Sequence, residues 1–319
     1  MPGRQDFVEL AAGPDDAGRR LDKVLRSLLG EAPLSAVYSS LRRRRILVNG
    51  KPAEASLRLA PGDRIALDPA LLPAKAGPGL PPAAAGGPSL SGLIVLETED
   101  LLFLNKPRGM LVHGKDSLEE LVRAYLDGRS RGSLSFKPGP LHRLDRNTSG
   151  LVAFPRSAAG ARAFAELLRS RRIEKRYLAL LEGSLGSPAV WEDLLERDGE
   201  RGISSAGSSG RPAQSRAVPL AEAGGLSLAL VELGTGLTHQ IRAQAAARGL
   251  ALAGDAKYGG RPFPGGYILH ALALRFPEPP FPDLPREVTA PLPPRSRARL
   301  EALYGAEAMG RALEAALAP

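Results

Sequence analysis

Three short polar clusters hold most of the residues that could do chemistry. The first runs from His142 to Gly150 and contains one carboxylate, Asp145, between Arg143 and Arg146. Two flanking guanidinium groups would keep that carboxylate ionised and nucleophilic. The alternative is a turn in which Asp and Asn side chains cap backbone groups. Two arginines around one Asp are more than a cap requires, so we favour a reactive carboxylate.

The other two clusters lie later in the chain, and each also has a structural interpretation. The segment from Gly234 to Arg242 runs from a strand into a helix. Its structural interpretation is a Gly-rich turn with Thr238 as the helix N-cap. The segment from Glu174 to Ala179 places Tyr177 in a basic strand, where a lone tyrosine is most often a core or edge residue.

Composition and missing motifs exclude several conventional chemistries. The 319 residues include no cysteine, which excludes disulfides, Cys-bearing zinc sites, iron–sulfur clusters and Cys nucleophiles. The four histidines have neither H-x-x-x-H nor H-E-x-x-H spacing, so we expect no metal site. There is no G-x-S-x-G elbow and no glycine motif for nucleotide phosphates. A single carboxylate also argues against an ordinary glycoside hydrolase, which needs a pair.

The charge balance indicates a polyanionic partner. The chain has 43 Lys and Arg against 34 Asp and Glu, a net charge of +9. Between Arg19 and Lys51, nine basic residues stand against two acidic ones. Four of the nine are consecutive: Arg42, Arg43, Arg44 and Arg45. This run could be a solvated helix end, but we favour a phosphate-contacting surface because arginine binds phosphate through two parallel hydrogen bonds.

A Pro-, Gly- and Ala-rich stretch at 73–90 divides the chain into two units, 1–72 and 91–319. Such a stretch is typical of a linker, so we expect few contacts between the units. The N-terminus lacks a hydrophobic signal core, and no run of about 18 apolar residues occurs. We therefore expect a cytoplasmic protein with no membrane partner.

Apolar spacing and turn residues predict the elements of both units. In the small unit we expect helices at 21–29 and 34–43, then strands at 46–48 and 64–67 with an Asn-Gly hairpin turn between them. In the large unit, mixed strands and helices without strict alternation predict an α+β fold. The expected strands are 92–97, 101–105, 176–181 and 226–233, the expected helices are 117–126, 158–171, 240–248 and 296–317, and 199–211 is expected to be an exposed loop.

The small unit resembles the S-four-like RNA-binding domain over residues 18–67. Its R-x-D-x-x-L start lies at Arg20 to Leu25, and the L-V-N-G turn follows the second helix. In that family, a helix pair and this turn present basic residues to structured RNA. The resemblance therefore implies that the basic residues of the small unit contact RNA.

The large unit resembles the RluA family of pseudouridine synthases over nearly all of 92–277. The motif H-R-L-D-x-x-[TS]-[ST]-G is intact at 142–150, K-x-Y-x-A at 175–179, N-K-P-x-G-x-x-V-H at 105–113 and G-D-x-x-Y-G at 254–259. The R-N-T-S-G ending is closer to the RluC-like group. Two departures occur: Leu237 replaces an arginine of G-R-T-H-Q-I-R, and Ala243 with Gln244 replaces V-H.

The resemblance implies a fold, a reaction and a partner. The fold is a catalytic domain with a mixed or antiparallel sheet, preceded by the small α+β RNA-binding domain. The reaction isomerises uridine to pseudouridine without cofactor or metal, and the two-domain layout is that of enzymes acting on large-subunit (23S) ribosomal RNA. We expect a monomer.

The same resemblance implies roles for individual residues. Asp145 is the nucleophile and attacks either ribose C1′ or the uracil ring, and Arg242 pairs with it. Tyr177 stacks on the uracil and helps to remove the proton from carbon 5, while Arg143 fills the space that the flipped base vacates. The remaining residues expected to contact substrate or RNA are His142, Thr238, His239 and the four consecutive arginines.

Three alternatives stay open. The chain could be a catalytically silent RNA-binding factor in ribosome assembly, although an intact set of Asp145, Tyr177 and Arg242 argues against that. It could be a synthase for another RNA, such as tRNA. It could also be a glycosidase acting on RNA or a nucleoside, which the lack of a second, water-activating carboxylate disfavours.

Overall fold

The N-terminal part of the chain forms two helices packed on a three-stranded antiparallel sheet of order β1-β3-β2. The computed structural model describes residues 7–30, 32–72, 90–126, 133–134 and 136–318, so the expected linker at 73–90 lies outside these ranges except for Leu90. The elements are β1 (Val8–Ala11), α1 (Leu21–Leu28), α2 (Leu34–Arg42), β2 (Ile46–Val48) and β3 (Arg64–Leu67). The expected helices and strands are confirmed. Strand β1 was missed because it has only four residues and is mostly exposed, so no buried apolar pattern marks it.

The Asn49-Gly50 turn forms, but it is not a tight two-residue hairpin turn between β2 and β3. Both residues have positive φ angles of 51° and 74°, as a type I′ turn requires. The turn closes only a single bridge between Val48 and Lys51. The expected partners, β2 and β3, do pair, but the whole of 49–63 connects them.

The rest of the chain builds a ten-stranded mixed sheet. Its order is β4-β5-β6-β12-β7-β11-β10-β8-β9, with β13 pairing with β12, and the β6–β12 pair is parallel. The strands are β4 (Ile94–Glu97), β5 (Leu101–Lys106), β6 (Ser149–Pro155), β7 (Glu174–Glu182), β8 (Ala189–Asp198), β9 (Ile203–Gly207), β10 (Arg211–Ala223), β11 (Leu226–Leu233), β12 (Leu269–Arg275) and β13 (Glu287–Thr289). The helices are α3 (Leu118–Leu126), α4 (Ala158–Arg169), α5 (Gln240–Ala247), α6 (Pro294–Tyr304) and α7 (Ala306–Leu317). The expected α+β class with a mixed sheet is confirmed.

Three expected elements differ from those observed. The stretch 199–211 is not a loop throughout, because it contains β9, which forms a hairpin with β8. The C-terminal helix is two helices, α6 and α7, separated at Gly305, whose φ of 83° ends the first helix. The first strand of the large unit starts only at Ile94, since 90–93 forms a 3-10 turn.

Strand β7 lies in the middle of the sheet and is buried on both faces. Tyr177, Ala179 and Leu181 belong to the apolar cluster on one face, whereas Leu178 and Leu180 belong to the cluster on the other. Successive side chains of a strand point to opposite faces, which explains this continuous apolar run. Tyr177 therefore faces the side of the sheet that also carries α5.

A small set of contacts crosses between the two units. The Asp16 carboxylate accepts hydrogen bonds from the Leu134 backbone N–H at 2.7 Å and from the Ser133 hydroxyl at 2.8 Å. Asp15 accepts a 2.8 Å hydrogen bond from the N–H of Ala158, the first residue of α4. Leu134 also packs against the apolar core of the small unit. Two adjacent aspartates thus attach the small unit to the large one.

Candidate active site

Asp145 lies on the loop that leads into β6, and tight packing holds the far end of that loop. The next strand begins at Ser149, whose hydroxyl lies 2.9 Å from Nδ1 of the buried His270. At Gly150 the φ angle is +112°, and a Cβ there would lie 2.3 Å from the Ala271 carbonyl oxygen. Only glycine fits such a close approach of two strands. The last residue of the H-R-L-D motif is therefore required by the β6–β12 pairing.

Lys106 holds the near end of the same loop. Its buried ammonium donates to the carbonyls of Pro107, Met110 and Arg146 at 3.0, 2.9 and 3.1 Å. Burial lowers the pKa of Lys106 to about 7, against the opposing effect of the nearby Asp145 carboxylate. Three carbonyl acceptors match the three donors of an ammonium group, which favours the charged form. Lys106 thus joins the turn after β5 to the loop of Asp145.

The cation nearest to Asp145 comes from α5, not from its neighbours in sequence. Asp145 Oδ2 lies 3.4 Å from Arg242 Nη1. Arg143 and Arg146 are exposed, and within the described part of the chain neither forms an ion pair with Asp145. Arg146 donates instead to the Gly109 carbonyl at 3.0 Å. The expectation that the flanking arginines hold this carboxylate is not met.

Arg242 itself is held mainly by a second carboxylate. Its Nε and Nη2 donate to the two oxygens of Asp255 at 2.6 and 2.8 Å, and both side chains are buried. The guanidinium carbon also lies 4.7 Å from the ring centre of Tyr258 and 5.0 Å from that of Tyr267. The two hydrogen bonds to Asp255 and the two rings that pack against the guanidinium together fix its orientation. Asp255 therefore positions Arg242 so that its remaining nitrogen faces Asp145.

His239 is the other group beside Asp145, with Nε2 3.6 Å from Oδ2. Burial lowers the pKa of His239, against the opposing effect of the Asp145 carboxylate. The Tyr258 hydroxyl accepts from the Ser204 backbone N–H at 2.8 Å and lies 2.9 Å from His239 Nδ1. A hydroxyl hydrogen donated to Nδ1 would leave the ring proton on Nε2, the nitrogen that faces Asp145.

The turn before α5 differs from the expected cap. His239, with a φ of 56°, is the N-cap, and no side chain caps the helix. The Thr238 carbonyl accepts from the Ser204 hydroxyl at 2.7 Å. Gln240 organises the turn, since its amide oxygen accepts from the Thr235 hydroxyl at 2.8 Å and the Leu237 N–H at 3.0 Å. The cluster from Gly234 to Arg242 is thus a scaffold that presents His239 and Arg242.

A small cavity of about 60 Å³ lies between Asp145 and Tyr177. Its apolar walls include Leu233, Ile241 and Leu269. Burial, with a further contribution from the Asp145 charge, raises the pKa of Tyr177, so the phenol keeps its proton. The site therefore combines one carboxylate, one neutral phenol and apolar walls.

A wider cleft of about 460 Å³ opens next to this cavity. It brings together four of the expected substrate-contacting residues, Arg143, His142, Thr238 and His239, with Asp145. His142 also has a structural role. Its Nε2 accepts from a β6 backbone N–H at 3.1 Å, its ring stacks on a core phenylalanine, and burial lowers its pKa to about 4.

The four consecutive arginines lie elsewhere, in the small unit, and line neither cavity. Arg45 is bound to Asp68 at 2.8 Å. Arg42, Arg43 and Arg44 are exposed and form no ion pair with any residue in the described ranges. These three guanidinium groups are available to an external anion.

Both departures from the family pattern have structural explanations. Leu237 packs against the cluster formed by Leu195, Ala213 and Ala243. Gln244 is fully buried, donating to the carboxylate of Asp193 at 2.7 Å and accepting from a β10 serine hydroxyl at 2.6 Å. These two positions therefore connect α5 to strands β8 and β10.

Four residues that shape the site received no role from the sequence: Lys106, Gln240, Asp255 and Tyr258. Each lies inside a segment that matches a family motif, which is the signal that could have identified them. Each has a partner outside its own motif, namely Arg146, Gln214, Arg242 and Ser204 respectively, so spacing within a motif does not reveal these roles. Within the described residues, no cluster of three His, Asp or Glu side chains could hold a metal ion. None of the described helices is long and apolar enough to span a membrane.

Comparison with known proteins assigns a class to this fold and site. Residues 100–247 match the model of the RNA pseudouridylate synthase family, and residues 19–65 match the S4 domain. The structure is similar to that of "Human RNA Pseudouridylate Synthase Domain Containing 1", with a TM-score of 0.52 and 28% identity, covering 62% of this chain and 82% of that one. The fold is thus that of the RNA pseudouridylate synthases, which isomerise uridine in RNA.

Two curated relatives extend the similarity to most of the chain. The Salmonella typhi protein "Ribosomal large subunit pseudouridine synthase C" is 31% identical over 314 residues, covering 92% of this chain and 96% of the relative. The Escherichia coli (strain K12) protein of the same name is also 31% identical, covering 85% and 88%. The chain belongs to the RNA pseudouridylate synthase family, which confirms the resemblance found in its motifs.

Proposed function

We propose that this protein converts specific uridines of large-subunit (23S) ribosomal RNA to pseudouridine. The observation that carries the proposal is the small cavity that Asp145 and Tyr177 both line, with Arg242 held beside the carboxylate. The printed names of the curated relatives support large-subunit RNA as the substrate. The small basic unit supports a structured RNA partner.

In the proposed mechanism, the target uridine leaves its stack and enters the cavity, with Arg143 occupying the vacated space. Asp145 attacks ribose C1′ or the uracil ring, and the bond between N1 and C1′ breaks. The uracil then rotates, carbon 5 bonds to C1′, and the bond between Asp145 and the substrate breaks. Carbon 5 releases its proton to solvent and N1 takes one up, so the product is an isomer of uridine and the enzyme is regenerated. Atoms balance without a redox step. Arg242 stabilises the charge of Asp145 during these steps.

Tyr177 would stack on the uracil and help to remove the carbon 5 proton. We expect Tyr177→Phe to bind RNA like the wild type but to slow product formation by about 10²-fold, within the usual range for acid–base catalysis. Single-turnover rates and RNA affinity, measured in parallel, check this. The matched control is Tyr304→Phe, which removes a hydroxyl at the α6 end, outside the two cavities. If Tyr177→Phe and the wild type form product at equal rates, the Tyr177 hydroxyl has no part in the reaction and the ring serves only for packing.

The alternative functions predict different sets of pseudouridines in the RNA of a deletion strain. A silent assembly factor would leave all pseudouridines in place when its gene is deleted, and deletion of a tRNA synthase would remove them only from tRNA. Carbodiimide primer extension of 23S ribosomal RNA and tRNA from a deletion strain separates these outcomes. Complementation with an Asp145→Asn gene then tests whether a missing signal depends on catalysis.

The exposed arginines of the small unit would contact RNA phosphates. We expect the triple variant with Arg42, Arg43 and Arg44 changed to Gln to bind ribosomal RNA more weakly. The slope of log affinity against log salt should fall in magnitude by about 0.7–0.9 for each phosphate that is no longer neutralised, a guide taken from other nucleic acids. Substitution is preferable to removal of the small unit, because removal would also delete the Asp15 and Asp16 hydrogen bonds to the large unit.

The control for this series is the triple change of Arg162, Arg286 and Arg295 to Gln, which removes the same charge from exposed sites of the large unit. Identical slopes for the two triple variants would show that the small unit is not the RNA anchor.

We further propose that the enzyme acts in the cytoplasm, where ribosomal RNA is made in bacteria, and as a monomer. Light scattering of the purified protein tests the second point.

A further inference from the structure

The β8–β9 hairpin brings one more arginine to the wide cleft. Arg197, close to the end of β8, lines this cleft together with Asp145 and His239. The sequence interpretation placed the end of this hairpin in an exposed loop and assigned it no function. In the structure, the hairpin contributes Arg197 to the lining of the cleft that also contains Asp145.

The position of Arg197 is fixed by its strand partner. Arg197 is in register with Ser204 of β9. Ser204 is buried, and its hydroxyl and N–H donate to the Thr238 carbonyl at 2.7 Å and the Tyr258 hydroxyl at 2.8 Å. These bonds attach the hairpin to the turn that presents His239. The backbone of Arg197 is therefore held at a set distance from the catalytic carboxylate.

The guanidinium of Arg197 is available to a ligand. It is exposed and forms no ion pair with any described residue. Arg143 and Arg146 line the same cleft, so three exposed guanidinium groups surround the single carboxylate, Asp145. A cleft of this charge attracts a polyanion, and arginine suits a phosphate group geometrically.

Position 237 explains why this arginine has a role on this side of the site. The resembling family usually has arginine there, whereas Leu237 packs on the base of the hairpin through Leu195. Arg197 lies two residues beyond Leu195 on the same strand and brings a guanidinium group to the wide cleft. We propose that Arg197 contacts a backbone phosphate of a nucleotide flanking the target uridine, a role that rests on the proposed function in RNA.

The test compares Arg197→Gln with Arg201→Gln. Both changes remove one exposed arginine from the β8–β9 hairpin and its turn, but Arg201 does not line the cleft. Single-turnover conversion of a ribosomal RNA fragment is measured against RNA concentration at several salt concentrations. For Arg197→Gln we expect the half-saturating RNA concentration to rise about tenfold, with an unchanged rate at saturation. The salt slope should fall in magnitude by about 1, whereas Arg201→Gln should match the wild type.

Affinity of the same RNA fragment for both hairpin variants in an Asp145→Asn background gives a readout without turnover. If Arg197→Gln and Arg201→Gln show equal affinity and salt slope, the proposal is overturned. A reduced saturating rate with unchanged affinity also overturns it, since that would indicate disturbed packing. Lack of conversion by the wild type would reject the proposed function alone, because the binding comparison still decides the role of Arg197.

Discussion

Replacing Asp145 with Asn is expected to reduce the rate of pseudouridine formation at least about 10³-fold, as for removal of other enzymic nucleophiles. The amide has the same shape but cannot form the covalent bond to the substrate. The second carboxylate near the site, Asp255, cannot take over. Its oxygens are buried and bound to Arg242 at 2.6 and 2.8 Å. Release of tritium from carbon 5 of labelled uridine under single-turnover conditions measures the rate.

The control for this prediction is Asp116→Asn. Asp116 is exposed and has a φ of 54°, a conformation that Asn also tolerates. It carries the same charge but lines neither cavity. The control should retain the wild-type rate, and both variants should keep wild-type melting temperatures. Substantial turnover by purified Asp145→Asn protein would reject Asp145 as the nucleophile.

Arg242→Ala is expected to lower the free energy of unfolding by about 3–5 kcal/mol, the usual cost of breaking a buried ion pair from one side. Asp255 is only 2% exposed as a side chain and would lose both hydrogen bonds of its bidentate partner. The rings of Tyr258 and Tyr267 would also lose the cation that packs on them. Activity should fall as well, because Asp145 loses its nearest cation. Urea denaturation and single-turnover rates measure the two effects.

Arg248→Ala provides the matched control, since Arg248 is the C-cap of the same helix and pairs with Asp193 at 2.9 Å. That pair is more exposed than the Arg242–Asp255 pair, so its removal should cost less. Asp255→Asn adds a second test, because an amide leaves no unpaired buried carboxylate. It should destabilise less than Arg242→Ala while still disturbing activity. An Arg242→Ala protein as stable as Arg248→Ala would show that the Arg242–Asp255 pair does not support the fold.

Local pattern in the sequence was enough to predict elements whose burial follows a simple period. Helix α1 was predicted because Leu21, Val24 and Leu25 recur at helical spacing, and all three are fully buried. Strand β7 was predicted from its continuous apolar run. The H-R-L-D motif identified Asp145 because the residue types of that segment are specific. Strands β8 and β9 were not predicted, since few of their residues are buried and their pairing partners could not be read from a local pattern.

The sequence by itself therefore determined the family, the α+β class and the identity of the candidate reactive carboxylate. Only the tertiary structure decided which groups surround it. The sequence neighbours Arg143 and Arg146 form no ion pair with Asp145 among the described residues, while Arg242 and His239, nearly a hundred residues later, lie 3.4 and 3.6 Å from its oxygen. Ion pairs depend on distance and burial in space, and neither quantity is set by proximity along the chain. Folding brings Asp255 to Arg242, and that buried pair orients the cation beside Asp145.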